Sequence, residues 1–302
     1  MKKTQKEKDA ALAVPRSLKV PKVRKVKDPD MVKTKPLHPH LPQTGGPGGG
    51  ALVLMCSPVK TGKSTLISNI MLNPDFYGDD YFDYVKVMSN TIMNDVTSRF
   101  MLKAFDVTDH YDEEELQGLI DLQASYDKED QPEIAYICDD LLGSIPRNSV
   151  LNHLCARFRH YNFKLFIIST QNFKGVSTIT RQNATNVIIG SPYPNQAELI
   201  KISDTYSDLV GGQQQFLDLY KTATPNKYDF LHLNLQENPI HAYRNFEELL
   251  MVGDKWVVGD HDNYDFVDMN SSDTEDDEVE TEDPEINLKK NKKKNKKDGN
   301  NL

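Results

Sequence analysis

Residues Ser57, Pro58, Val59, Lys60, Thr61, Gly62, Lys63, Ser64 and Thr65 follow the apolar run "ALVLMC" directly and lead into a helix-like stretch, Lys63–Met71. A loop of this kind can wrap a triphosphate. Backbone N–H groups turn inward, a lysine reaches the outer phosphates, and a hydroxyl faces a divalent cation, all at a helix N-terminus. Gly62, Lys63 and Ser64 occupy the positions that G-K-[ST] requires, in the expected order of strand, loop and helix. Two positions depart from the usual pattern. Ser57 stands where a glycine is expected, which matters only if that backbone needs a positive φ, and Lys60 adds a charge in mid-loop.

Further along, "IAYICDD" is an apolar strand ending in Asp139 and Asp140, about 75 residues after the loop. Beside a bound triphosphate, Asp139 would hold Mg²⁺ through water and Asp140 would polarise the attacking water. A strand ending in two aspartates also reads as a capped turn. "KLFIISTQNF" ends a third apolar strand in Thr170 and Gln171, and an amide at that tip would face the outermost phosphate, orient water and report the nucleotide state. Between these two, "CARFRHYNFK" places Arg157 and Arg159 near a helix end. Arginines there commonly make surface salt bridges; in an oligomer, Arg159 is the preferred candidate to reach a neighbour's phosphate, with Arg157 and Arg181 behind it.

These residues need a frame. Strand-length apolar runs alternate with amphipathic helix-length stretches, which predicts a mostly parallel sheet covered on both faces, with ligands at the carboxyl ends of the strands. "EEELQGLIDLQASYDKE" reads as an exposed amphipathic helix with Leu116, Leu119, Ile120 and Gln123 on one side, and "FLHLNL" and "AYR" read as two late antiparallel strands at the sheet edge. The expected domain covers residues 51–259. Before it, residues 1–50 carry 12 Lys or Arg against 4 acidic residues and end in "GGPGGG", the pattern of a basic flexible arm. After it, Asp260–Glu285 holds 13 acidic residues and no Lys or Arg, and "NLKKNKKKNKK" supplies 7 lysines, so residues 260–302 read as a disordered tail.

The core between the tails carries a net charge of −10, which argues against a broad DNA-binding face. Three cysteines without CxxC spacing read as buried free thiols in a reducing compartment. The absence of an apolar signal region or a long apolar run argues against secretion or membrane spanning. A clustered-carboxylate nuclease centre is not expected either.

Taken together, "SPVKTGKS", "YICDDLL", "RHYNFKLFIISTQ" and "ITRQNATNVII" resemble the genome-packaging ATPases of large DNA viruses and virophages, the poxvirus-type branch of the FtsK/HerA superfamily. The resemblance covers roughly residues 51–250. It implies an α/β P-loop NTPase fold of the additional-strand, RecA-like type, ATP and Mg²⁺ as ligands, and a homo-oligomeric ring that moves double-stranded DNA into a preformed capsid. It implies Lys63 and Ser64 on phosphate and Mg²⁺, Asp139 on Mg²⁺, Asp140 activating water, and Gln171 as sensor, with Arg159 as the finger. Host cytoplasm or a viral factory is the expected location, with packaging into the virion open. The basic arm is expected to hold DNA or to dock on a capsid portal or membrane protein. Lys174 and Gly211–Gln215 are candidate pore loops. A nucleotide-gated assembly scaffold and a cellular-type DNA translocase or helicase remain as alternatives.

Overall fold

A computed structural model describes residues 37–45, 49–78, 80–92, 99–141, 145–146, 148–193 and 196–267. The basic stretch 1–36 and the acidic and lysine-rich stretch 268–302, to which the tail expectations apply, lie outside the described residues.

Six strands run parallel: β1 (Ala51–Cys56), β2 (Tyr84–Ser89), β3 (Asp106–Thr108), β4 (Ile134–Asp139), β5 (Phe163–Thr170) and β6 (Asn186–Gly190). Five more continue the same sheet antiparallel: β7 (Phe230–Asn234), β8 (His241–Arg244), β9 (Glu248–Val252), β10 (Lys255–Asp260) and β11 (Asn263–Val267). The order across the sheet is β11-β10-β9-β8-β7-β6-β1-β5-β4-β2-β3, so β1 sits between β5 and β6 in the parallel half. The chain adopts the expected α/β class, but the sheet is mixed rather than mostly parallel, five strand pairs being parallel and five antiparallel. The antiparallel half is larger than the two edge strands the sequence suggested.

Every residue of β1, β2, β4, β5 and β6 is buried, because both faces of the parallel half are covered. Side chains alternate between the faces. Leu52, Leu54 and Cys56 point into a core shared with α3 (Glu113–Ser125), α4 (Val150–Arg157), α6 (Gln196–Tyr206) and α7 (Gln213–Ala223). Ala51, Val53 and Met55 point the other way, onto α1 (Lys63–Leu72) and α2 (Arg99–Ala104). A short helix, α5 (Thr178–Asn183), leads into β6. The helix expected from "EEELQGLIDLQAS" forms with Asp112 as its N-cap, accepting from the Glu115 N–H at 3.0 Å. Leu116, Leu119, Ile120 and Gln123 are buried, so one face of this helix is a core face. Glu115 also pairs at 2.6 Å with Lys86, a lysine 1 % exposed in the middle of β2 that lies 3.3 Å from Asp106. A buried cation of this kind requires its carboxylates.

Two expected boundaries move. The domain does not stop at 259, since Tyr264 and Asp265 belong to a hairpin in register with Val258 and Gly259. Nor is all of 1–50 free of the core: Leu41 is 2 % exposed, Gln43 and Gln236 exchange hydrogen bonds at 2.9 and 2.8 Å, and the Tyr77 hydroxyl donates to the Pro42 carbonyl. Composition hid both. Charged residues on an edge strand and prolines in a strap look like linker until their partners are known.

His40 joins that strap to the sheet. Its ring stacks near Tyr243, 4.5 Å between centroids, and its Nδ1 lies 2.9 Å from the Phe246 carbonyl. Burial lowers the pKa values of His40, His241 and His232, the last to about 3. A folded-state pKa below the unfolded value near 6.5 means that the unfolded chain takes up protons first. Stability is then full above about pH 6.5 and is lost as pH falls toward the folded values. At pH 5 the His232 contribution alone is a loss of about 2 kcal/mol. Urea unfolding at pH 7.5 and 5.0 should show this fall, and a shallower one in His232→Gln; equal midpoints for the parent at both pH values would contradict the neutral, buried His232.

Candidate nucleotide site

β1 ends at Cys56, and the Ser57 N–H then donates to the Thr170 carbonyl at 3.0 Å, so the loop leaves the sheet tied to the end of β5. Ser57 is buried and has no positive φ. Its hydroxyl bonds to Thr61 Oγ1, and the Thr61 hydroxyl donates to the Pro58 carbonyl at 2.7 Å. The glycine expected here is therefore not needed for backbone freedom. Gly190, opposite on β6, is the position that lacks space: a Cβ there would overlap the Ser57 hydroxyl. The serine has been accommodated by a glycine on the neighbouring strand.

Lys60 carries the strain instead. Its φ of 63° is left-handed, as are those of Gly62 at 87° and Asp140 at 55°. Gly62 opens α1, whose first-turn N–H groups and dipole face an anion. The loop residues Ser57 through Thr65 line one cavity of about 960 Å³, together with Asp140, Gln171, Lys227, Tyr228 and Phe230. Val59 at the loop tip is 64 % exposed.

The ends of β4 and β5 complete the site. Ser89, Asp139 and Ser169 are neighbours across β2, β4 and β5. Asp139, 3 % exposed, accepts from Ser169 Oγ at 2.5 Å and from Ser89 Oγ at 3.2 Å. Burial raises its pKa, while Lys63 and the two hydroxyls act against that rise. The next residue turns out of the strand, its N–H donating to the Ser169 carbonyl at 3.1 Å. That turn brings Asp140 Oδ2 to 2.5 Å from Lys63 Nζ and within 2.8 Å of the Gln171 amide nitrogen, which donates to it.

Lys63 is 9 % exposed and 3.7 Å from Asp139 Oδ1, yet its ammonium makes no well-directed hydrogen bond within the protein. A buried ammonium with free donors at the mouth of an anion-binding helix fits a phosphate ligand. Asp139, oriented by two serines, with Ser64 on the first turn of α1, fits a magnesium ion that completes its shell with water and phosphate oxygens.

Ser57–Thr65, Asp139, Asp140 and Gln171 thus come together. Arg159 and Arg157 do not join them. They line a second cavity with Glu133, Asn162 and Lys164, at the starts of β4 and β5. That is the far end of an eight-residue strand, roughly 25 Å away. Arg181 lies 5.1 Å over the Phe173 ring, bonds to Thr178 Oγ1 at 3.3 Å, and is absent from the cavity lining. Lys174 is exposed after β5. Gly211–Gln215 is not a loop throughout: Gln213–Gln215 form the first turn of α7, and Gln215 donates to the Asp254 carbonyl. Ser89, Ser169, Gly190, Lys227 and Tyr228 were not legible as site residues, since only strand register and the fold of the chain bring them to the loop.

The strand, loop and helix geometry decides the fold. The chain has the P-loop α/β fold. No protein-family model matches it, and no curated protein matches it. Among solved structures it is similar to the DNA-packaging ATPase B204 of Sulfolobus turreted icosahedral virus, at 16 % identity and a TM-score of 0.48 over 67 % of this chain and 98 % of that one. It is similar also to the genome-packaging NTPase B204 of Sulfolobus turreted icosahedral virus 2 in complex with ATP-gammaS, at 16 % identity and a TM-score of 0.46, covering 66 % and 98 %. A third neighbour, the pCW3 conjugation coupling protein TcpA with ATPgS, shares 13 % identity at a TM-score of 0.42 over 61 % and 57 %. These neighbours are of the kind that the packaging-ATPase resemblance anticipates.

The packing of Ser57 against Gly190 is testable. Gly190→Ala should cost about 1–3 kcal/mol by overpacking and weaken nucleotide binding. Ser57→Gly in the same chain should restore most of both, read by urea unfolding and titration calorimetry. A double variant no better than Gly190→Ala would show that the two positions are independent.

Proposed function

We propose that the chain hydrolyses ATP and uses the cycle to move double-stranded DNA into a preformed capsid, as a homo-oligomeric ring of about five or six copies. The observation that supports this reading best is Asp140, a carboxylate at a strand tip that accepts from the Gln171 amide and contacts Lys63. Magnesium, when bound, offsets phosphate charge and polarises the group being transferred. Ser64 and Asp139 would hold it.

Each protein group has a task that its position suits. The loop N–H groups and α1 bind the phosphates. Lys63 exchanges its contact with Asp140 for phosphate oxygens. Asp140, relieved of that contact, is free to accept a hydrogen bond from the attacking water, and Gln171 orients both. Gln171 sits at the tip of the strand beside β1, so a change at the phosphate is felt directly by the backbone after β5.

Arg159 enters only between copies. Its place at the opposite end of the strands rules out a role in its own subunit's cavity, but a neighbour in a ring can present that end to the loop. DNA contact in this reading is with phosphates and independent of base sequence, through local basic loops or the basic arm rather than the acidic core. The host cytoplasm or a viral factory, and possible carriage in the virion, belong to the same proposal, as does docking of the arm on a capsid, portal or membrane protein.

ATP turnover of the parent and of Lys63→Ala, each with and without long double-stranded DNA, tests the reading alongside mass in solution. DNA should raise parent turnover, Lys63→Ala should lower it by about 100-fold or more, and the mass should be a ring multiple of 34.3 kDa. Turnover indifferent to DNA removes the motor. Tight ATP binding without turnover in either condition favours a nucleotide-gated scaffold.

A further inference from the structure

The cavity is larger than a triphosphate needs. Besides the loop, its lining includes the apolar side chains of Leu66, Phe76, Ile188 and Phe230, with Tyr228 at Gly62. A Cβ on Gly62 would stand 3.1 Å from Tyr228 Cδ1, so the ring lies directly against the turn that grips phosphate. The Lys227 ammonium sits 4.6 Å from the ring centroid.

Tyr228 is held in a conformation that its side chain disfavours. Its φ is 78°, and the residue is 57 % exposed. Among the described residues, five other than glycine have a positive φ, and three of these, Asp140, Asn162 and Asn245, are of the type that tolerates it. The other two, Lys60 and Tyr228, both line this cavity. An exposed ring contributes little to the core, so its strained placement has no return in folding.

The turn that carries it is nonetheless built. Asp229 accepts from the Asn226 N–H at 3.0 Å and from the Asn245 side chain at 3.3 Å, and the Phe230 N–H donates to Asn245 Oδ1 at 3.0 Å. These bonds anchor the turn to the β8–β9 connection. The ring is preorganised next to the phosphate loop.

From this placement we infer that Tyr228 is the base-contacting residue of the site, its ring stacking on the base of a bound nucleoside triphosphate while the loop takes the phosphates. Stacking of a base on an aromatic ring accepts any base, so the residue sets the preference for a nucleotide over bare polyphosphate. The inference rests on the reading of the loop as a nucleotide site.

Calorimetric binding of MgATP and of magnesium tripolyphosphate to the parent, Tyr228→Ala and Tyr228→Phe separates the two. Tyr228→Ala should weaken MgATP about ten-fold and leave tripolyphosphate within about two-fold, with Tyr228→Phe close to the parent because the ring remains. Because the ring is exposed, unfolding midpoints should confirm that all three proteins are folded. Unchanged MgATP affinity in a folded Tyr228→Ala would overturn the base contact while the phosphate site stands. Tighter binding of both ligands would make the ring a cover that phosphate must displace, and would overturn it equally. A parent that binds neither ligand would refute the nucleotide site itself and the base contact with it.

Discussion

The parallel register of β1, β5 and β4 is the constraint on which the site depends. Cys56 pairs with Thr170, and Ser169 pairs with Asp139, so three strands end at one level although Cys56 and Thr170 lie more than a hundred residues apart in the chain. A slip by one residue would turn every side chain to the other face. Asp139 would then leave Ser169 and Ser89, and Lys63 would face an apolar side chain. The register is held by two cores that need opposite parities of β1: Leu52 and Leu54 on one face, Val53 and Met55 on the other. The apolar packing that makes the fold thereby fixes the chemistry at the strand ends to within a hydrogen bond.

That placement also explains why the charged groups tolerate burial. Lys63, Asp139 and Asp140 are a cation between two carboxylates in a cleft, and none would be stable there alone. The two serine hydroxyls leave Asp139 hydrogen-bonded on both oxygens, and the Gln171 amide does the same for one oxygen of Asp140. Lys63 is the member left short of hydrogen-bond acceptors. An incoming polyanion must therefore displace the Asp140 contact to reach the ammonium, in a buried site where charge–charge attraction is stronger than in water.

Much of this was legible in sequence because it is local. The loop, the strand ending in Asp139 and Asp140, and the strand ending in Gln171 are each continuous runs, and the alternation of apolar and amphipathic stretches orders them in a parallel sheet. What was not legible depends on contacts distant in the chain. Nothing near Ser57 announces that Gly190 makes room for it, and nothing in "TPNKYDF" announces that its tyrosine crosses to Gly62. Arg159, read from sequence as a group offered to a neighbour's phosphate, lines a cavity at the start of β5, so the strand separates it from the loop of its own subunit. Charge misled at both domain ends, where Asp260 and Asp265 belong to a hairpin and His40 belongs to a core.

The strain has its own distribution. Left-handed backbone at Lys60 and Tyr228 opposes folding, at Asp140 it is better tolerated, and at Gly62 it costs little because glycine has no Cβ. Such conformations persist only where surrounding structure over-determines them, and here the surroundings are a rigid parallel sheet beneath and an anchored turn beside. Replacing Lys60 by glycine would relax the loop, yet it would also remove a cation from the cavity rim. Lys60 thus sets a cation in the cavity lining on a backbone that glycine would adopt more easily, and attraction to a bound phosphate would offset that conformational cost.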